Sequence, residues 1–319
     1  MKWAFSLFFL VVFVSVTLHV HQASGAANIV KSIIVDLNGK GDFKTIQEAI
    51  NSVPANNNQW IRIHVSAGVY REKVHIQNDQ QFILLEGEGR DQTVIEWGDY
   101  ASDPGKHTTI TSATFTSSAD NFVAKYITFK NSAQNVGQAV AASIQGNHSA
   151  FYGCGFIGVQ DTLYDQFGLH YFKECYIEGA VDFIFGCGQS IYEKSLIYTV
   201  QRAGVVTAQG RESPTDENGF VFKGCVVNGT HKASLGRAWR NYARVIFYKT
   251  FMSDIVDPEG WNAWGGKEED TTFVESGCHG PGSDTSQRVK WMKKPSPAEL
   301  RKFTHITYID SEGWISAQP

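Results

Sequence analysis

The chain is expected to be all-β and to coil as a parallel β-helix, on three observations. Its 30 glycines, 13% aromatic and 19% charged residues suit many short strands joined by tight turns better than long helices. A phrase of aromatic, two variable residues, Cys or Ser, then apolar recurs along the chain. Its clearest copies are Phe151-Tyr152-Gly153-Cys154-Gly155-Phe156 and Phe172-Lys173-Glu174-Cys175-Tyr176-Ile177. Third, the copies repeat at a solenoid's period. With Tyr126, Cys154, Cys175, Ser195, Cys225 and Phe251 as equivalent positions, the steps are about 28, 21, 20, 30 and 26 residues. An antiparallel sandwich would also give short strands, but not a recurring phrase.

From the start, Lys2, the apolar run Phe5 to Val16 and the small residues Ala23-Ser24-Gly25 read as a secretory signal over 1–25. The run is shorter than the ~20 apolar residues of a membrane span. A single domain is expected over 26–319, because no linker or low-complexity stretch divides it. Ile33 to Val35 and Ile61 to Val65 alternate as strands, and Gly68 to Glu72 turns into another. Between them Ile46, Ala49, Ile50 and Val53 fall at helical spacing before Pro54, a helix placed to cap the open end of the solenoid. A second short helix is expected at Pro297 to Lys302, within a tail packed along the outside.

A formal charge of −4 and a pI near 6.2 give no basic footprint for nucleic acid. Asn147-His148-Ser149 and Asn228-Gly229-Thr230 are glycosylation sequons consistent with secretion. The five cysteines show no zinc spacing. Cys154 and Cys175 hold equivalent positions, and adjacent strands ~4.8 Å apart would put their Cα atoms within bridging range. A disulfide and two stacked free thiols both fit.

The polar residues of the repeats carry the chemistry. Gln138 precedes Gln160 by 22 residues and Asp161 precedes Asp182 by 21, so one coil separates the members of each pair. Asp182 lies in the apolar run Val181-Asp182-Phe183-Ile184-Phe185, where an unpaired carboxylate costs several kcal/mol to desolvate. Arg237 is the expected partner, its fork able to hold both oxygens. Two neighbouring carboxyls cannot both ionise readily, so one serves as acid and the other as nucleophile or base. The glutamine amides can donate to an oxyanion. A polar ladder without catalysis is the plainer use of such columns, and a glycosidase or lyase could also use paired carboxylates. Tyr164, Phe167, Phe185, Trp239 and Trp264 could floor a sugar site. No HExxH, GxSxG, phosphate loop or dinucleotide fingerprint is present.

With these residues in hand, the chain resembles the plant pectin methylesterases (pectinesterases). The matching phrases are Gly68-Val69-Tyr70-Arg71-Glu72, Gln138-Ala139-Val140-Ala141, Gly155 through Tyr164, Val181 through Gly186 and Leu235-Gly236-Arg237-Ala238-Trp239. The resemblance implies a right-handed parallel β-helix and hydrolysis of methyl esters of homogalacturonan to demethylated pectin and methanol. It implies Asp182 as nucleophile, Asp161 as proton donor and then base, and Gln138 and Gln160 as oxyanion stabilisers. Arg237 would orient Asp182, and Trp239 and Thr109 would contact substrate. No cofactor or metal is implied. The resemblance further implies a cell-wall setting, a monomeric protein and a proteinaceous pectinesterase inhibitor as a partner. Three departures stand out: Ser143 where the family has arginine, Ala238 where it has proline, and no inhibitor-like pro-region. None removes a catalytic group.

Overall fold

The computed structural model describes residues 27–134 and 136–319; the expected signal over 1–25 lies outside them. The coil is a right-handed parallel β-helix, the hand that crossovers between parallel strands take. Three parallel sheets of ten, eight and eight strands run its length. Each turn visits them in order. Ser149–Tyr152 lies in the ten-stranded sheet, Gly155–Ile157 in the second, Leu163–Asp165 in the third, and Leu169–Lys173 is back in the first.

The repeated phrase is the inner wall of the coil. Phe151, Phe172, Tyr192, Phe222 and Phe247 stand in register, fully buried. Phe151 stacks on Phe172 at 4.8 Å, and the next three contacts run at 4.6, 4.6 and 4.5 Å between ring centroids. In-register parallel strands force like residues to stack, so an aromatic at one coil favours an aromatic at the next.

The cysteine column differs from its expected phase at two coils. Gly155 pairs with both Thr128 and Tyr176, so Cys154 faces Ile127, not Tyr126, and Cys175. Val226 pairs with Phe251, which puts Thr250 rather than Phe251 opposite Cys225. The residue before each column member turns the corner in left-handed conformation. Tyr126, Gly153, Glu174, Lys194, Gly224, Lys249 and Gly277 have φ of 56°, 59°, 56°, 52°, 60°, 52° and 65°. Tyr126 is thus an exposed corner residue.

Of the two arrangements open to Cys154 and Cys175, free thiols are what the structure holds, and the disulfide is absent. Side chains on in-register parallel strands project side by side rather than converging. Each thiol instead donates to main chain, Cys154 Sγ to Tyr152 O at 3.6 Å and Cys175 Sγ to Phe151 O at 3.5 Å. Burial pushes the Cys154 thiol up to about 12.

The expected helices are both present. Helix α1 (Ile46–Asn51) drives Ile46, Ala49 and Ile50 into the end of the core, under an N-cap in which Thr45 accepts from Glu48 N–H. Glu72 accepts the N–H groups of Ile46 and Gln47 at 2.8 and 2.9 Å. Helix α2 (Pro297–Thr304) starts with a capping box of Ser296 and Glu299. It opens a tail whose Leu300, Tyr308, Ile309 and Trp314 cover the outer face of the ten-stranded sheet. The face they cover is one in-register apolar column, Leu84, Val123, Ala150, Tyr171, Ile191, Val221, Ile246 and Val274. At the opposite end from α1, Lys293 bridges Val274 and His279 bridges Phe251.

Candidate active site

The site lies on the outer face of the third sheet, which the α2 tail leaves uncovered. Ser143, Tyr164, Phe185, Ala208 and Arg237 form one outward column, each from a successive coil. Tyr164 and Phe185 stack at 4.4 Å with planes 2° apart, and Trp239 meets the edge of that stack. This makes an apolar wall.

At the corner entering this sheet, Gln138 pairs with Gln160 and Gln160 with Val181. Asp161 and Asp182 follow Gln160 and Val181, so they sit on adjacent coils at the same corner. Asp161 N–H donates to Val181 O at 3.0 Å. Both aspartates turn left-handed, with φ of 62° and 50°. For a residue with a side chain this costs about 1 kcal/mol. Both are buried.

The two carboxyls have different partners. Arg237 grips Asp182 with both arms of its fork, Nε donating to Oδ1 at 2.7 Å and Nη2 to Oδ2. The Trp264 ring centroid lies 3.6 Å from the guanidinium carbon, a cation–π contact. Among the described residues, Asp161 has no ion-pair partner of its own. Burial, and then the neighbouring Asp182 charge, push its carboxyl up to about 8, against a smaller downward pull from Arg237. It therefore holds a proton at neutral pH.

A cleft of about 380 Å³ opens over this pair. Gln138, Gln160, Asp161, Asp182, Tyr164, Phe185, Arg237 and Trp239 line it. Thr109 and Trp264 stand at it too, so the cleft brings together all seven residues to which the resemblance gives a catalytic or substrate-contact role. Phe167 is the exception among the expected aromatics: it is 55% exposed and does not line the cleft. Ser143 is fully buried, with Gln145 Nε2 donating to its Oγ at 3.4 Å. Ala238 is buried in its strand between Arg237 and Trp239, both of which still reach the cleft.

Sequence reasoning missed one contact. Arg202 Nη2 donates to Gln160 Oε1 at 3.0 Å from a loop with no motif to mark it. Among the described residues, Asp99, Asp103 and His107 bring metal-ligating atoms within 4.8 Å of one another. They do not line the cleft, and the Lys73 ammonium already sits 2.7 Å from Asp99 Oδ2.

A family model described as Pectinesterase matches residues 32–312. The chain is 47% identical over 305 residues to "Probable pectinesterase 55" of Arabidopsis thaliana, covering 90% of this chain and 91% of that protein. It is 45% identical over 319 residues to "Probable pectinesterase 29" of the same plant, covering 94% and 93%. Among solved structures, a pectin methylesterase from carrot matches with a TM-score of 0.87 at 30% identity, covering 92% of this chain and 98% of that one. The deglycosylated pectin methylesterase of Aspergillus niger matches at 0.81 and 29%, covering 93% and 99%.

Proposed function

The chain belongs to the pectinesterase family and demethylesterifies pectin, and from that premise we propose how its own residues divide the work. Asp182 is the nucleophile. Its oxygen bonds to the ester carbonyl carbon of a galacturonate unit, and the carbonyl oxygen becomes an oxyanion held by the amide N–H groups of Gln138 and Gln160. As the carbon–methoxy bond breaks, Asp161 gives its proton to the leaving oxygen and methanol departs. An anhydride between Asp182 and the uronate remains. Asp161, now ionised, takes a proton from water, whose oxygen attacks the uronate carbonyl and releases Asp182 as a carboxylate.

The observation that carries this reading is the unequal environment of two carboxyls one coil apart. Asp182 is clamped in a single orientation by a bidentate arginine, and Asp161 is buried with its proton retained to about pH 8. A polar ladder with no catalytic task would not need one arginine aimed at one member. The apolar wall of Tyr164, Phe185 and Trp239 suits a methyl ester and the flat face of a sugar ring. Thr109 and Trp239 complete the substrate contacts. No metal or organic cofactor enters any step.

Asp182→Asn should lower methanol release from methylated pectin by at least 10³-fold, with circular dichroism unchanged. Activity near that of the parent would remove Asp182 from the nucleophile's role. New reducing ends or unsaturated products without methanol would point instead to backbone cleavage.

The protein is further proposed to be secreted through the signal over 1–25 and to act in the cell wall as a monomer, open to a proteinaceous inhibitor. Asn228 is exposed and suits a glycan. Asn147 is half-buried, its Oδ1 accepting Leu169 N–H at 2.8 Å, and suits one less well.

A further inference from the structure

Gln160 is useful to an oxyanion only when its NH₂ end faces the cleft. The two ends of a glutamine amide are nearly isosteric, so sequence and backbone do not choose between them; the hydrogen-bond partners do. Presented oxygen first, the side chain would repel the charge it is meant to hold.

From Arg202 we infer that the orientation is set outside the cleft, by this arginine acting as a positioning residue. The inference rests on the reading of Gln160 as an oxyanion donor. Guanidinium carries five N–H donors and no acceptor, so the atom facing it must be the amide oxygen. With Arg202 Nη2 on Gln160 Oε1 at 3.0 Å, both N–H bonds of Gln160 are free for the cleft. The bond is charge-assisted and also polarises the amide, which makes its N–H groups better donors.

The arginine comes from the loop between Leu196–Thr199 and Gly204–Gln209, where Arg202 N–H donates to Val200 O at 2.7 Å. Val181 pairs with Gln160 on one side and Val205 on the other. Arg202 therefore reaches back over the nucleophile's coil to the oxyanion donor's. Arg202 makes no ion pair among the described residues. Arg237 is committed to Asp182 and Arg240 to Glu212. Gln138 has no comparable side-chain partner among the described residues, so Gln160 is the preorganised donor of the two.

A double-mutant cycle on kcat tests this, using fully methylated pectin so that loss of a surface charge does not alter attraction to free carboxylates. Arg202→Met should lower kcat roughly tenfold, well short of the 10²–10³-fold loss for deleting an oxyanion donor, with KM little changed. Arg202→Lys, which keeps a donor, should recover part of it. Arg202→Glu, which accepts from the amide and turns its oxygen to the cleft, should be worse than Arg202→Met. In a Gln160→Ala background, Arg202→Met should have no further effect. An unchanged kcat in Arg202→Met, or the same fold-loss in both backgrounds, overturns the inference and leaves Gln160's role standing. A fully active Gln160→Ala removes that role and the inference together.

Discussion

Asp161 stores a conflict that can be measured away from catalysis. Its carboxyl titrates near 8 in the folded protein against an ordinary value of 3.8. The folded state therefore binds a proton that the unfolded chain has released at every pH between those two values. Stability falls as pH rises across that window, since the unfolded state binds fewer protons there. Asp161→Asn removes the titration. It should unfold at higher urea than the parent at pH 7, by on the order of 4 kcal/mol, and the gain should shrink to nothing by about pH 4. A gain independent of pH would contradict the raised carboxyl. In the parent, kcat/KM should decline as pH passes about 8, where Asp161, the proposed acid, loses its proton. The pairing of Asp161 with Asp182 was legible in the sequence because the solenoid period brings residues about 21 apart together, and an aspartate inside Val181-Asp182-Phe183-Ile184-Phe185 demands a partner. Arg202 was not legible. Its loop carries no motif, and its role depends on which atom of another side chain it happens to face.

The corner between the ten-stranded sheet and the second sheet explains where the repeat was misaligned. Strand residues in that repeat share a chemistry, aromatic or small and apolar, because they stack on their own kind. Corner residues share only a backbone angle. Glycine, glutamate, lysine and tyrosine all occupy it, so a pattern search sees nothing, and Tyr126 passes for a core residue. The corner also predicts opposite responses to substitution. Gly224 has φ of 60° and open space where a Cβ would go, so Gly224→Ala meets no clash and pays only the left-handed strain. It should cost about 1 kcal/mol in urea unfolding. Lys194 is exposed with φ of 52°, and Lys194→Gly should stabilise by about 0.5 kcal/mol, the relief of strain offset in part by glycine's freedom in the unfolded chain. If both changes destabilise, the corner does not hold the left-handed angle in solution.

For the molecule as a whole, the tail is part of the fold and not an appendage. Trp314 is 9% exposed, donates from Nε1 to Ile309 O at 2.5 Å, and stacks on His148 at 5.2 Å. Trp314→Ala should cost about 3 kcal/mol and raise binding of an apolar dye to the uncovered column, while leaving methanol release per folded molecule unchanged, because the tail lies on a different sheet from the cleft. A coil of parallel strands has a further property, which comes from its ends. Each terminal turn presents a row of unpaired main-chain donors and acceptors with the spacing and direction of the next turn already specified. Chemically it is the growing tip of a fibril, and another copy could continue it. Helix α1 closes one tip with apolar side chains and no strand edge, and the bridges of Lys293 and His279 occupy strand edges at the other. Strand edges covered in this way offer less to a further coil from another copy, which is how a self-templating architecture is held back from edge-to-edge growth.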